Sequence, residues 1–259
     1  MSNNHIALSV ASPCRDLRIL IDATANADIS RIHANWSQLH EWLVRHGVDA
    51  SAGVTRLALS ENAHLGGLDV STLTIECDEE LDARTDDAYM RMRVAHNFGL
   101  GCVTVFAGPR NAAAYDYLVA ALLRLTTLAD RLGLDVLLGN RGGSCIEQID
   151  DVSRIFADVG AHNLYLDLNI VEFHAASVNP CDACLAFGSR VAGVRLSNVA
   201  GGIRASLEKG EIDIGAVLRA TERSECHCPF VVTAADERDV AAQLRADVRF
   251  LESAGYVME

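Results

Sequence analysis

Polar residues with the right chemistry sit at the ends of several short β-rich runs: His33 and Asn35, Asn140 and Arg141, Asp167 and Asn169, Arg195 and Ser197. Side chains alternate along a strand, so residues two apart share a face. If Asp167 points into a site, Asn169 does too, and the same holds for Arg195 with Ser197 and for His33 with Asn35. A carboxylate or an imidazole in such a place moves protons. A guanidinium there holds a carboxylate, phosphate or enolate oxygen. The expected roles are acid–base catalysis for Asp167 and His33, and substrate binding for Arg195, Arg141, Asn169, Asn35, Ser197 and Asn140. A plainer reading stands beside this one. Asp167 and Arg195 then form a buried ion pair between neighbouring strands, His33 is a hydrogen-bonded core histidine, and Arg141 is a solvated loop residue.

Two further groupings have ligand-like spacing, Cys181 with Cys184 and Cys226 with Cys228. Whether one zinc ion can join them depends on topology. The elements that must position all these residues alternate along the chain. The β-rich runs are Ile6–Ala11, Ile29–Asn35, Val48–Thr55, Cys102–Ala107, Asp135–Asn140, Asn163–Asn169, Val191–Ser197 and Phe230–Thr233. Helical patterns of about 10–20 residues separate them, including one after Ser37 that stops at Gly47. The stretch 56–77, with Gly66-Gly67, reads as an elaborated loop after strand three, with Glu61, His64 and Glu76 as solvated or lid residues. Trp36 reads as a stacking face or as core packing.

Alternation of this kind implies right-handed βαβ units and a parallel sheet. Eight units in 259 residues match a single closed (β/α)8 barrel spanning 1–259. The rival open sheet would show a glycine fingerprint after its first strand, and Ser12–Leu17 has none. In a barrel, Cys181 and Cys184 follow strand six at one face, and Cys226 and Cys228 precede strand eight at the other. About 20 Å of strand then separates the pairs, so they are expected to be ordinary cysteines.

Composition narrows the function. Half of the residues are hydrophobic and the formal net charge is −13, from 22 basic and 35 acidic side chains. Such a chain repels phosphate backbones, which argues against general nucleic-acid binding. No apolar run approaches the roughly 18–20 residues that span a bilayer, and the N-terminal stretch lacks a basic n-region. The expectation is a cytoplasmic protein with a small-molecule substrate and neither nucleic acid nor membrane as partner, homo-oligomerisation being left open.

At the strand ends the sequence resembles the xylose-isomerase-like barrel superfamily, a group of sugar-phosphate isomerases and epimerases, inosose dehydratases and endonuclease-IV-like proteins. The resemblance rests on Leu134–Gly143 (LDVLLGNRGG), Asn163–Asn169 (NLYLDLN), Val191–Asn198 (VAGVRLSN), Leu207–Leu218 (LEKGEIDIGAVL, with Gly210 and Asp213 matched) and Pro229–Thr233. It implies a divalent metal held by Glu, Asp, His and Glu from strands five to eight. Here those positions hold Gly139, Asp167, Arg195 and Thr233, Ile170 stands where a second His follows the Asp, and Asn198 where an Asp follows strand seven. One of four ligands remains. The expectation is a sugar isomerase/epimerase-like or related lyase activity on a small polar, anionic, carbohydrate-like or cyclitol-like substrate, with no metal cofactor and a guanidinium supplying the positive charge. The alternative is a non-catalytic binding relative. A Mn or Zn site returns only if the strand-end alignment is displaced.

Overall fold

The computed structural model describes residues 4–6, 8–11, 16–27, 29–49, 58–226, 228–234 and 239–258. Eight parallel strands close into a barrel in sequential order: β1 Leu8–Ala11, β2 Arg31–Asn35, β3 His64–Leu73, β4 Cys102–Ala107, β5 Asp135–Gly139, β6 Leu164–Asn169, β7 Val191–Leu196 and β8 Phe230–Thr233. Closure is made by β8 against β1, with Phe230 opposite Leu8 and Thr233 opposite Ala11. Outside the barrel, Asn4–Ile6 pairs in parallel with Tyr256–Met258.

Nine helices are described: α1 Leu17–Ala25, α2 Trp36–His46, α3 Asp78–Asn97, α4 Ala114–Asp130, α5 Ile149–Val159, α6 Ile170–Ala175, α7 Pro180–Phe187, α8 Ile214–Arg223 and α9 Val240–Ser253. Their faces follow from sequence period. In α4, Leu118, Ala121, Leu122, Leu125 and Ala129 are buried, the spacing that lays one helical stripe on the sheet. α2 begins at Asn35, not Ser37. The Asn35 side chain accepts from Gln38 N and Gln38 answers at the Asn35 N–H, a reciprocal cap that satisfies two end groups. α2 ends at Gly47 with φ +62°, a left-handed position that glycine adopts without strain.

The third strand departs from the sequence reading. It is His64–Leu73 and lies inside the stretch expected to be a loop, whereas Val48 and Asp49 are not in a strand. The remainder of the expected strand Val48–Thr55 falls outside the described residues. Two adjacent glycines weaken a strand pattern, which hid this one. Their reason is packing. A Cβ on Gly67 would come within 2.3 Å of His33 Nδ1, and one on Gly66 within 3.0 Å of the Arg31 Cβ. The barrel bulges there, its register shifting between Ile32 and His33.

The cysteine pairs also sit differently from expectation. α7 returns along the outside of the barrel toward the start of β7, which brings Cys184 close enough to Cys226 and Cys228 to feel their charge. Burial, with Cys226 and Cys181 beside it, pushes the Cys184 thiol up to about 12. The Cys226 and Cys228 sulfurs are 2.9 Å apart. No helix among the described residues is long and apolar enough to cross a membrane.

Candidate active site

At the C-terminal end of the barrel, Asp167, Asp69 and His33, from three strands, meet around the Arg195 guanidinium of a fourth. Nε donates to Asp167 Oδ2 at 2.7 Å and Nη1 to Asp69 Oδ2 at 3.1 Å. Nη2 reaches both Asp69 Oδ1 and Asp167 Oδ2, the latter at 2.6 Å. His33 Nε2 lies 2.7 Å from Asp69 Oδ1 and 3.2 Å from Arg195 Nη2. A carboxylate only accepts, so this imidazole nitrogen carries its proton and donates it to Asp69. Thr104 Oγ1 donates to Asp167 Oδ2 at 3.1 Å, and the Phe106 ring lies 5.2 Å beneath the guanidinium.

The electrostatics follow from this geometry. Burial pushes the Asp69 carboxyl up, but the charges of Arg195 and His33 outweigh it and hold the group well below the usual carboxylate range. Burial opposes the charge on Arg195, and Asp167 and Asp69 more than restore it. A buried charge survives only when paired and hydrogen-bonded in this way. Within this cluster, Asp167 Oδ1 is left buried without a partner. It faces Gly193, where a Cβ would approach to 3.0 Å.

Beside this cluster is a cavity of about 790 Å³ over β2 to β6, within the range of small-molecule sites. Asp69 is the member of the cluster that lines it; His33, Asp167 and Arg195 lie behind. Of the residues expected to bind substrate, Asn35, Asn140, Arg141 and Asn169 line the cavity, and Ser197 is buried elsewhere. Asn35 is occupied as the cap of α2. Asn140 is occupied with the next strand, its Oδ1 accepting from Asn169 N at 2.6 Å and its Nδ2 donating to Asn169 O at 3.0 Å. Asn169 keeps a buried, unpartnered Oδ1 at the wall. Arg141 is exposed, and no carboxylate among the described residues pairs with it.

Sequence reasoning missed four charged lining residues, Glu41, Asp69, Arg91 and Glu172. Asp69 was concealed in the presumed loop. Glu172 lies on α6, a helix too short to leave a periodic signal. Arg91 lies on α3, donates to Val70 O at 2.6 Å and stands 5.3 Å over the Trp36 ring. Nothing in the local sequence sets Arg91 apart from the other arginines of α3.

The residues do not fit the divalent metal that the strand-end resemblance implies. The place of the strand-five Glu is Gly139, and the Phe106 ring fills the space, since a Cβ there would come within 2.3 Å of it. Thr233 ends β8. Arg195 replaces the His and sets a cation among Asp69, Asp167 and His33. Among the described residues no group of three His, Cys, Asp or Glu side chains is arranged to hold an ion. Asn198 is structural: it donates to Leu207 O and Ile212 O and accepts from the Val199 and Ile212 N–H groups.

No protein-family model and no curated protein sequence matches the chain. Solved structures do. A xylose isomerase domain protein from Alicyclobacillus acidocaldarius subsp. acidocaldarius superposes with a TM-score of 0.75 at 15% identity, covering 96% of this chain and 98% of that one. The IolI protein with a binding zinc atom gives 0.75 at 15% identity, covering 95% of each chain. D-psicose 3-epimerase with D-tagatose, from Clostridium cellulolyticum H10, gives 0.72 at 12% identity, covering 97% of this chain and all of the other. At these identities the likeness is one of fold: the chain is a closed (β/α)8 barrel whose architecture matches that of these xylose isomerase-like proteins.

Proposed function

We propose that the chain is a sugar isomerase/epimerase-like enzyme that acts on a small polar, anionic, carbohydrate-like or cyclitol-like substrate in the mouth cavity, without a divalent metal. The observation that supports this most is the position of Arg195 Nη2, within 3.2 Å of one imidazole nitrogen and two carboxylate oxygens. A fixed positive charge there does part of what a cation does: it orients the surrounding carboxylates and biases the cavity floor toward developing negative charge. Asp69 presents this cluster to the ligand, and His33 and Asp167 set its charge and position. Arg141 supplies a guanidinium at the cavity wall for an anionic substituent, beside Arg91, whose own charge is paired with Asp87.

A second reading has its own support. His33 and Asp167 lie behind Asp69, and Asp69 is held ionised too firmly to be an effective base near neutral pH. A barrel that binds a small polar ligand without turning it over has the same cavity.

One experiment separates the readings. The protein is incubated in D2O with D-psicose, D-tagatose or D-fructose 6-phosphate, with and without EDTA, and deuterium uptake beside the carbonyl is followed by mass spectrometry. The enzyme reading expects uptake from at least one probe that EDTA leaves unchanged. Uptake that EDTA abolishes and Mn²⁺ restores would overturn the metal-free mechanism. Ligand binding with no uptake would favour the binding relative.

A further inference from the structure

Isomerisation needs a group that takes up and returns a proton inside the cavity, and the following inference rests on the enzyme reading above. Three carboxylates line the cavity: Glu41, Asp69 and Glu172. Glu41 is paired with Arg45. Asp69 is held between Arg195 and His33. Glu172 has no cationic partner among the described residues. Its contact is the backbone of the β5–α5 loop, where Gly142 N donates to Oε2 at 2.8 Å.

That contact fixes the side chain while leaving Oε1 uncommitted. Gly142 permits it, because a Cβ there would stand 3.3 Å from Oε2 and crowd the carboxylate. The carrier is equally constrained. Asn169 precedes α6, and its backbone is tied at both N–H and C=O to the Asn140 side chain. Glu172, the third residue of α6, is therefore held from β5 on one side and β6 on the other.

We propose that Glu172 is the catalytic acid–base residue of this cavity, a role the strand ends do not supply. Its Oε1 takes the proton from the carbon beside the substrate carbonyl. The C–H electron pair forms the carbon–carbon double bond of an enediolate, and the carbonyl π pair moves onto oxygen, where the wall guanidinium of Arg141 faces the charge. The hydroxyl proton on the first carbon passes to that oxyanion, the carboxylic acid returns its proton to the former carbonyl carbon, and the electron pair left on the first oxygen forms the new carbonyl, so that no oxidant or reductant is consumed.

The test is the D2O exchange assay applied to wild type, Glu172→Gln and Glu172→Asp. Glutamine keeps the acceptor for Gly142 N–H and cannot take the proton. Exchange should fall at least about 100-fold, the usual range for loss of a general base. The melting temperature, and its rise with the probe that exchanges, should stay near wild type. Aspartate should keep part of the rate. Glu172→Gln exchanging at the wild-type rate would overturn the role while leaving the isomerase reading intact, and so would Glu172→Asp at the full rate should the Gln variant not fold. Wild type that exchanges none of the three probes would overturn the isomerase reading and the role together.

Discussion

Arg195 is the residue on which the interior of this barrel turns, because two carboxylates and an imidazole depend on one buried guanidinium. Removing one carboxylate leaves a charge without its full counter-charge, which costs about 3–5 kcal/mol for a fully buried pair. Asp167→Asn should therefore lower stability in urea melts by about that amount, with Asp69 still shielding part of the guanidinium. The acid limb of the stability curve carries the same signature. Asp69 titrates well below its ordinary value when folded, so its stabilisation is complete above about pH 4, the unfolded value, and is lost as pH falls below that. Asp69→Asn should flatten this limb, and an unchanged limb would contradict the assignment. His33, Asp167 and Arg195 were legible in the sequence because strand ends in a barrel converge and alternation tells which residues do so. Asp69, Arg91 and Glu172 were not: one sat in a segment whose strand pattern two glycines had erased, and the others lie on helices where an acidic or basic residue usually means solvent.

Among the elements, β3 shows what the sequence conceals. Gly66 and Gly67 look like a loop signal, yet each is required by a neighbour across the sheet. Gly67→Ala should destabilise the barrel by about 1–3 kcal/mol, the usual cost of overpacking, because the new methyl meets the His33 ring that Asp69 fixes. Gly101→Ala is the control. A Cβ there meets nothing within 4 Å, and the substitution should be neutral or stabilising by about 0.4–1 kcal/mol. Thermal melts of both variants check the pair. The segment after β7 has a second fastening, from Leu207 N to Asp247 Oδ1 at 2.8 Å. Burial pushes the Asp247 carboxyl up to about 6. The folded state therefore resists its charged form, so the penalty is full above pH 6 and relieved as pH falls toward about 4. Asp247→Asn should raise the melting temperature at pH 7.5 and remove the gain that wild type shows between pH 7 and 5. The strong helices and the other seven strands were readable because their apolar periods are long and uninterrupted. The short helix α6 and the hairpin 198–205 carry too few residues to show one.

For the whole molecule, the eight-fold alternation and the chain length were enough to fix the barrel, since few architectures use eight βα units in so short a chain. The strand-end resemblance also carries the expectation that its ligand positions are altered here. It could not show what fills the space, which depends on Phe106 beside Gly139 and on a side chain from β3 reaching Arg195. The resulting cavity lies over β2 to β6, with guanidinium and carboxylate groups on its wall and a guanidinium behind its floor. On the proposed reading, this guanidinium takes the place of the cation that the strand-end resemblance implies. That replacement is tested most directly by the metal content of protein purified without chelator, followed by melting scans against increasing Mn²⁺, Zn²⁺ and Mg²⁺. A ligand that binds only the folded state raises the melting temperature with concentration in proportion to its affinity. No stoichiometric metal and no saturable rise are expected. One equivalent of tightly held metal at the His33–Asp69–Asp167 cluster, shown by its loss in Asp167→Asn, would contradict it.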